Sequence, residues 1–292
     1  MISIDILDEI INTYDLKTRD KIYFISTCNM FLKNITIRYL RDGYINQQLR
    51  QDTYKNIVHL NIRFNDITEI SYLTSLTILK AEFSKIIKIN MLTNLTTAKI
   101  SNTNISDIYM LTKLTTLAPS NFIKQSDINN LTNLTKLNLL SNTNIYNIEH
   151  LSNLTKLRID HTEITSINNL KKLTYLSISR NRQITNLENL NNLSVLKINN
   201  SELSNIKYLT NVTYLSARGY YTKIKQDSIT NLTNLTFLNI CNNMHITCVS
   251  HLTNLTYLDI SGSFSQINPQ NIMKLHLNTL VHNLNNNFKQ TK

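Results

Sequence analysis

A chain of 292 residues, 41 % hydrophobic and 17 % charged, carries enough apolar material for an ordered fold, and its three Gly and absent Trp leave Asn, Ile, Leu, Lys and Thr dominant. Thirty Lys/Arg against 19 Asp/Glu give a formal charge of +11, a field that favours acidic partners. Cys28, Cys241 and Cys248 are odd in number and scattered, which excludes a disulfide framework. Asp5, Asp8 and Glu9 exclude a basic-then-apolar signal peptide in residues 1–12. No uninterrupted apolar run reaches the roughly 18–20 residues that cross a bilayer, so no membrane contact is expected. Asn-x-Thr sequons at Asn94, Asn133, Asn153, Asn234 and Asn254 would load successive segments with sugar in a secreted eukaryotic protein. These features together predict an intracellular location, cytoplasmic or nuclear.

The first element is helical. Ile2, Ile6, Leu7, Ile10, Ile11 and Tyr14 fall at helical spacing, with Ser3 or Asp5 as cap. Asp15 caps a second helix carrying Leu16, Ile22 and Ile25, and Asn29 a third carrying Phe31, Leu32, Ile35 and Leu40. Three short amphipathic helices over 1–41 are followed by a polar linker over 42–56. This order resembles an F-box, the adaptor-binding module of cullin-type ubiquitin ligases. Ile2-Ser3 stands at the family's Leu-Pro, Asp5 at its Glu, Tyr14-Asp15 at its Leu-Asp, and Ile25-Ser26 at its Val-Cys/Ser. The family's proline is missing, Asp shortens Glu, and Phe31 arrives two residues late. The resemblance implies docking of a Skp1-like adaptor through Ile2, Ile6, Ile10 and Tyr14. The same helices are also suited to capping the open hydrophobic end of the array that follows.

That array occupies 57–274. Leu131, Leu134, Leu137, Leu139, Ile145 and Ile148 are followed by Leu151, Leu154, Leu157, Ile159, Ile164 and Ile167, a unit of about twenty residues stated twice. Turns begin at Leu73, Leu92, Leu111, Leu131, Leu151, Leu170, Leu190, Leu209, Leu232 and Leu252, after an incomplete one at Leu60 and Ile62. The spacing identifies a leucine-rich repeat. It predicts an α/β-type solenoid, a horseshoe of about eleven turns of 19–23 residues with a parallel sheet on its concave face. The convex side is expected to be irregular or 3₁₀, and 275–292 to be a C-terminal cap and polar tail. The text LTNLTKL is similar to that of internalin-type bacterial surface arrays, although no export or wall-anchoring signal accompanies it.

The twelfth position of each turn holds a small polar residue: Asn65, Ser84, Thr103, Asn142, Thr162, Asn181, Ser201, Asn243 and Ser263. There the chain leaves the strand and exposes backbone groups that these side chains satisfy, so they are structural. Phe122 and Tyr220 occupy that position in two turns, each running into a near-copy, Ile123–Ile128 and Ile224–Ile229. Asp127, and Asp227 or Ser228, are expected to cap short helical turns, and Asn268-Pro269 to start another. Pro119 is expected to interrupt its strand ladder.

Alternation sorts the outward strand residues into columns. Lys80, Lys99, Lys136, Lys156, Arg158 and Lys197 form a basic track, and Tyr175, Tyr214, Phe237 and Tyr257 an aromatic column, the residue types that anchor interfaces. Residues 1–56 hold eight Lys/Arg and seven Asp/Glu, so 22 and 12 fall in the remainder, where the excess charge is concentrated. A protein ligand, acidic in character, is the expected concave-face partner, and no nucleic-acid module is recognisable. Reversing Lys156 and Arg158 to Glu is expected to weaken binding with little effect on thermal stability. Cys241, His245, Cys248 and His251 are spread around one coil and do not converge as zinc ligands. No phosphate loop or nucleophile motif is present, so neither a cofactor nor an enzymatic activity is expected. The function so predicted is a substrate-recruiting adaptor of a Skp1–cullin–F-box ligase, or a plain binding scaffold whose N-terminal helices only cap the solenoid.

Overall fold

The computed structural model describes residues 57–262, 267, 272 and 275–281, together with the backbone of strand β1 (Tyr39–Leu40). Ile2, Ile6, Ile10 and Tyr14, and with them the F-box-like pattern, lie outside the described residues, as do Ser263 and Asn268-Pro269. The chain divides into two compact units, 1–137 and 138–292.

In the first unit, β1, β2 (His59–Asn61), β3 (Ile78–Lys80), β4 (Thr97–Lys99), β5 (Thr116–Ala118) and the start of β6 (Lys136–Asn138) pair in parallel, each with the next. Leu60, Leu79, Ala98, Leu117 and Leu137 are aligned through successive pairings. In the second, β7 (Lys156–Arg158), β8 (Tyr175–Ser177), β9 (Val195–Lys197), β10 (Tyr214–Ser216), β11 (Phe237–Asn239), β12 (Tyr257–Asp259) and β13 (Thr279–Val281) do the same. There Leu157, Leu176, Leu196, Leu215, Leu238, Leu258 and Leu280 are in register. Each unit is a run of leucine-rich repeat solenoid.

The aliphatic positions explain why. In a turn such as 151–167, Leu151, Leu154, Leu157, Ile159, Ile164 and Ile167 are all buried. Six or so apolar side chains at about 2 kcal/mol each do not offset the ordering of twenty residues, so each turn depends on its neighbours. The far side of the coil is closed by single i→i+3 bonds, Leu151 N–H to Ile148 C=O at 3.0 Å and Leu154 N–H to Leu151 C=O at 3.0 Å, repeated turn after turn. Among the described residues no helix is long and apolar enough to cross a membrane.

The polar letters of the repeat text serve the stacking. The hydroxyls of Thr77, Thr96, Thr115 and Thr135 in the first unit donate to the carbonyl of the equivalent residue one turn back. Thr174, Ser194, Thr213, Thr236 and Thr256 do so in the second. Asn94, Asn133, Asn192, Asn211, Asn234 and Asn254 donate Nδ2–H in the same direction. The sequons at Asn94, Asn133, Asn234 and Asn254 are therefore read better as hydrogen-bond ladders, since each of these Asn and the Thr that follows it bind the previous turn.

A further ladder lies just past the strands. Phe64, Phe83 and Asn102, and in the second unit Ser141, His161, Arg180, Asn200 and Asn242, adopt φ of 51–61°. Left-handed backbone costs a non-glycine residue about 1 kcal/mol, but at all of these positions other than Asn102 it points the N–H group to a carbonyl of the next turn, as His161 to Ser179 at 3.2 Å. Gly219 fills the same place at φ +110°, where a Cβ would lie 1.9 Å from Asn200 Oδ1.

Two turns correct the sequence reading. Phe122 and Tyr220 do not occupy the inward polar position, since both are exposed. Ser120 takes it in one turn, donating to the Ile105 carbonyl, and Thr222 takes it in the other, its N–H bonded to Gly219 C=O at 3.2 Å. The chain closes two residues early in the first case and two late in the second. Both turns then form the expected short helices, α1 (Gln125–Ile128) and α2 (Gln226–Ile229). Asp127 and Ser228 sit three residues inside the cap rather than on it, and accept from Lys124 N–H at 2.8 Å and Lys225 N–H at 3.2 Å. Asp227 is exposed and makes no such bond. Pro119, which has no N–H, is buried just beyond β5, whose pairing with β6 runs over two residues instead of three.

Candidate binding surface

From β2 to β12 the central side chain of each strand is buried and the flanking ones are open to varying extents, except that Ser177, Ser216 and Asp259, which close β8, β10 and β12, are buried as well. In the first unit, Lys80 and Lys99 close β3 and β4, and Lys136 opens β6. Lys80 stands beside His59, whose imidazole is held below its usual range by burial and then by the Lys80 charge. In the second unit, Lys156 opens β7, Arg158 closes it, and Tyr175, Lys197, Tyr214, Phe237 and Tyr257 follow on β8 to β12.

Arg158 is tied down at its Nε, although its side chain stays 46 % exposed. Its Nε lies 2.5 Å from Oδ2 of Asp160, whose side chain is only 5 % exposed. The other Asp160 oxygen accepts from Ser177 Oγ at 2.6 Å and Ser179 N–H at 2.7 Å. Reversing Arg158 would therefore leave a buried carboxylate facing a second negative charge, contrary to the expectation that stability is nearly unchanged. Lys156 is exposed and has no such tie.

The aromatic column is more ordered than its spacing implied. Tyr214 and Phe237 stack with ring centroids 4.0 Å apart and planes 7° from parallel, and Phe237 and Tyr257 stack at 4.1 Å and 6°. Parallel strands set neighbouring residues about 4.8 Å apart, and the rings close in further than that to reach offset contact. The rings therefore face one another along the array, and what they turn to solvent is their edges and the Tyr214 and Tyr257 hydroxyls. Tyr257 is held above the ordinary phenol range, by desolvation first and then by Asp259, so it stays a donor. Lys197 Nζ sits 5.6 Å from the Tyr175 centroid and 5.5 Å from that of Tyr214, a cation held between two rings. Among the described residues it has no carboxylate partner. Asp259 closes β12 at the other end of the row. Its oxygens accept from Asn239 Nδ2 at 2.9 Å, Ser261 N–H at 3.0 Å and Ser261 Oγ at 2.6 Å, all neutral donors.

A second concavity in the same unit, about 850 Å³, lies past the strands and is lined among others by His161, Glu163, Arg180, Arg182, Glu202 and Tyr221. Nothing in the repeat text signals it, because its walls are the variable residues around the left-handed positions. Among the described residues no three His, Cys, Asp or Glu side chains are grouped to hold a metal ion. Cys248 Sγ contacts Ser250 Oγ at 3.1 Å and His251 Nε2 the Ile229 carbonyl at 3.3 Å, each around its own stretch of coil.

The sequence matches no family model and no curated protein. In three dimensions the chain is similar to an internalin, InlF, from Listeria monocytogenes, with a TM-score of 0.64 at 23 % identity over 82 % of this chain and 90 % of that one. The functional domain of InlJ from the same organism gives 0.68 at 22 % identity over 88 % of this chain, which spans only 60 % of that domain's length. A leucine-rich repeat protein from Leptospira interrogans gives 0.58 at 21 % over 83 % and 75 %. At such identities the likeness establishes the fold, the leucine-rich repeat solenoid.

Proposed function

We propose that the protein is a non-enzymatic binding scaffold that holds a protein ligand, acidic in character, on its strand face. The observation that carries this is the row Tyr175, Lys197, Tyr214, Phe237 and Tyr257, aromatic side chains and a cation left half-exposed on a sheet whose leucines supply the stability. Stacked rings on a rigid sheet lose little freedom when they meet a partner, which favours affinity. Panning a displayed peptide library against the full chain, with counter-selection on Phe237→Ser, tests it. Binders should lose their hold on the variant, and a library whose winners ignore the substitution overturns the reading.

The pattern of residues 1–41 favours a finer version, in which Ile2, Ile6, Ile10 and Tyr14 engage a Skp1-like adaptor and the bound protein is delivered for ubiquitination. Co-expression of the full chain with such an adaptor tests it. A complex that survives purification and is lost in Ile6→Asp/Ile10→Asp supports the adaptor role, and absence of any complex leaves the scaffold alone.

A further inference from the structure

Resting on the scaffold reading, we propose that the second unit recognises an extended peptide segment with an acidic residue, an aromatic or large apolar residue and a basic residue at alternate positions, laid along the row from Lys197 to Asp259. Three features define the occupant. Both faces of Phe237 are covered by Tyr214 and Tyr257, and Lys197 lies over the Tyr214 ring, so bases or sugars have no open face in the middle of the row on which to stack. Ring edges carry the positive end of the quadrupole, and a visiting aromatic ring prefers to lie with its face across them.

The charges at the two ends are opposite and uncompensated. Lys197 is a cation positioned by Tyr175 and Tyr214, and Asp259 is a carboxylate only 9 % exposed, whose partners are all neutral, so the base meets it at the surface edge it leaves open. Lys197 and Asp259 close β9 and β12, three strand intervals apart, which is about 14–15 Å at the spacing of a parallel sheet. An extended peptide advances about 3.3 Å per residue and turns every second side chain to the same side, so positions i and i+4 stand about 13 Å apart with i+2 midway. The acid at i meets Lys197, the ring at i+2 lies across the edges of Tyr214 and Phe237, and the base at i+4 approaches Asp259. The two repeats, of strand and of peptide, differ by about 1–2 Å over this interval, which the long lysine side chains at either end can span.

The test is a fluorescence-anisotropy titration of the full chain at low salt with a labelled decapeptide whose centre reads Asp-Gly-Phe-Gly-Lys. Companion peptides carry Asn for Asp, Gln for Lys, or the three residues contiguous, and an oligothymidylate serves as the nucleic-acid probe. Asn for Asp should weaken binding to the natural protein at least three-fold and have no effect on Lys197→Gln, while the contiguous peptide should bind at least three-fold more weakly. Equal loss on both proteins, or indifference to spacing, overturns the proposal. If all peptides bind alike yet all are lost with Phe237→Ser, the scaffold reading stands and the alternating pattern falls. If Phe237→Ser changes nothing, the strand face itself is the wrong surface. Oligothymidylate that binds more tightly than the peptide, and is lost with Phe237→Ser, overturns the proposal in favour of nucleic acid. Because the peptide substitutions leave the protein untouched, the result does not depend on how well the Lys197 variant folds.

Discussion

The two units share one coil and differ in everything the coil leaves open. In the first, the opening strand column reads His59, Ile78, Thr97, Thr116, Lys136, and exposed apolar residues lie elsewhere: Phe64 stacks on Phe83 at 5.0 Å at the left-handed positions, and Met91, Met110 and Tyr109 are exposed away from the strands. In the second, the strand column reads Lys156, Tyr175, Val195, Tyr214, Phe237, Tyr257, Thr279, with four aromatic residues, and the left-handed positions are Ser, His, Arg, Asn and Gly. The inward polar position varies within the array instead. Ser84 and, in the second unit, Ser201 bury a hydroxyl with no partner, and Thr103 and Thr162 each donate one bond, to Ile100 C=O and Ile159 C=O, whereas Asn181 donates to Thr162 C=O and Ile164 C=O and accepts from Gln183 and Ile184 N–H. Stability rests on the repeated aliphatics in both units, so the remaining positions were free to diverge.

The sharpest break of that comparison is at the inward position. Asn181→Ala should cost about 2–4 kcal/mol, because it strands several buried backbone groups, while Ser84→Ala should stay within about 0.5 kcal/mol, since nothing is unpaired that was paired before. Denaturant midpoints of the two variants measure the gap. Next in size is Arg158→Glu, expected to cost about 1–3 kcal/mol through Asp160, against less than about 0.5 kcal/mol for Lys156→Glu two residues away. Thermal unfolding of the pair decides whether the basic track is one surface or two kinds of residue.

A smaller effect separates the units by pH. The depressed His59 pKa means the unfolded chain binds the proton more readily. Stability therefore rises with pH through that region and is lost as pH falls through the ordinary value of 6.5 towards the lower folded one. Unfolding midpoints at pH 7.5 and 5.5 should draw closer together in His59→Gln than in the natural chain. Gly219→Ala should cost about 1 kcal/mol in thermal unfolding, because the neighbouring Asn200 side chain can move aside while the left-handed strain remains.

Much of this was legible in the sequence where residues repeat. The leucine spacing specified the strands, their order and the inward side chains, because a buried aliphatic that recurs every twenty residues has no other consistent place. The strand columns followed from alternation, so Tyr214, Phe237, Tyr257 and Lys197 were identifiable before any geometry. What stayed hidden is what depends on contacts between turns. Asp160 reads as a polar letter beside Arg158 until the two are seen to pair. Ser120 and Thr222 escaped because each sits two residues from the expected slot, and a repeat count cannot tell which side chain the loop turns inward. The Asn and Thr of the repeat text looked like sequons and are ladders, since their partners lie 19–24 residues back. The closure of the rings to 4.0 Å, which decides that edges face the ligand, is a matter of side-chain angles that spacing does not carry.

Hydroxyl-radical footprinting of the full chain, with and without the Asp-Gly-Phe-Gly-Lys peptide, tests the central claim most directly, because it reads side-chain access ring by ring. Oxidation of Tyr214, Phe237 and Tyr257 should fall when peptide is added, while Tyr146 and Tyr221, which are 61 % and 74 % exposed away from the row, should be unchanged. Protection of Tyr221 with the row left open would place the ligand in the concavity beyond the strands and contradict the account.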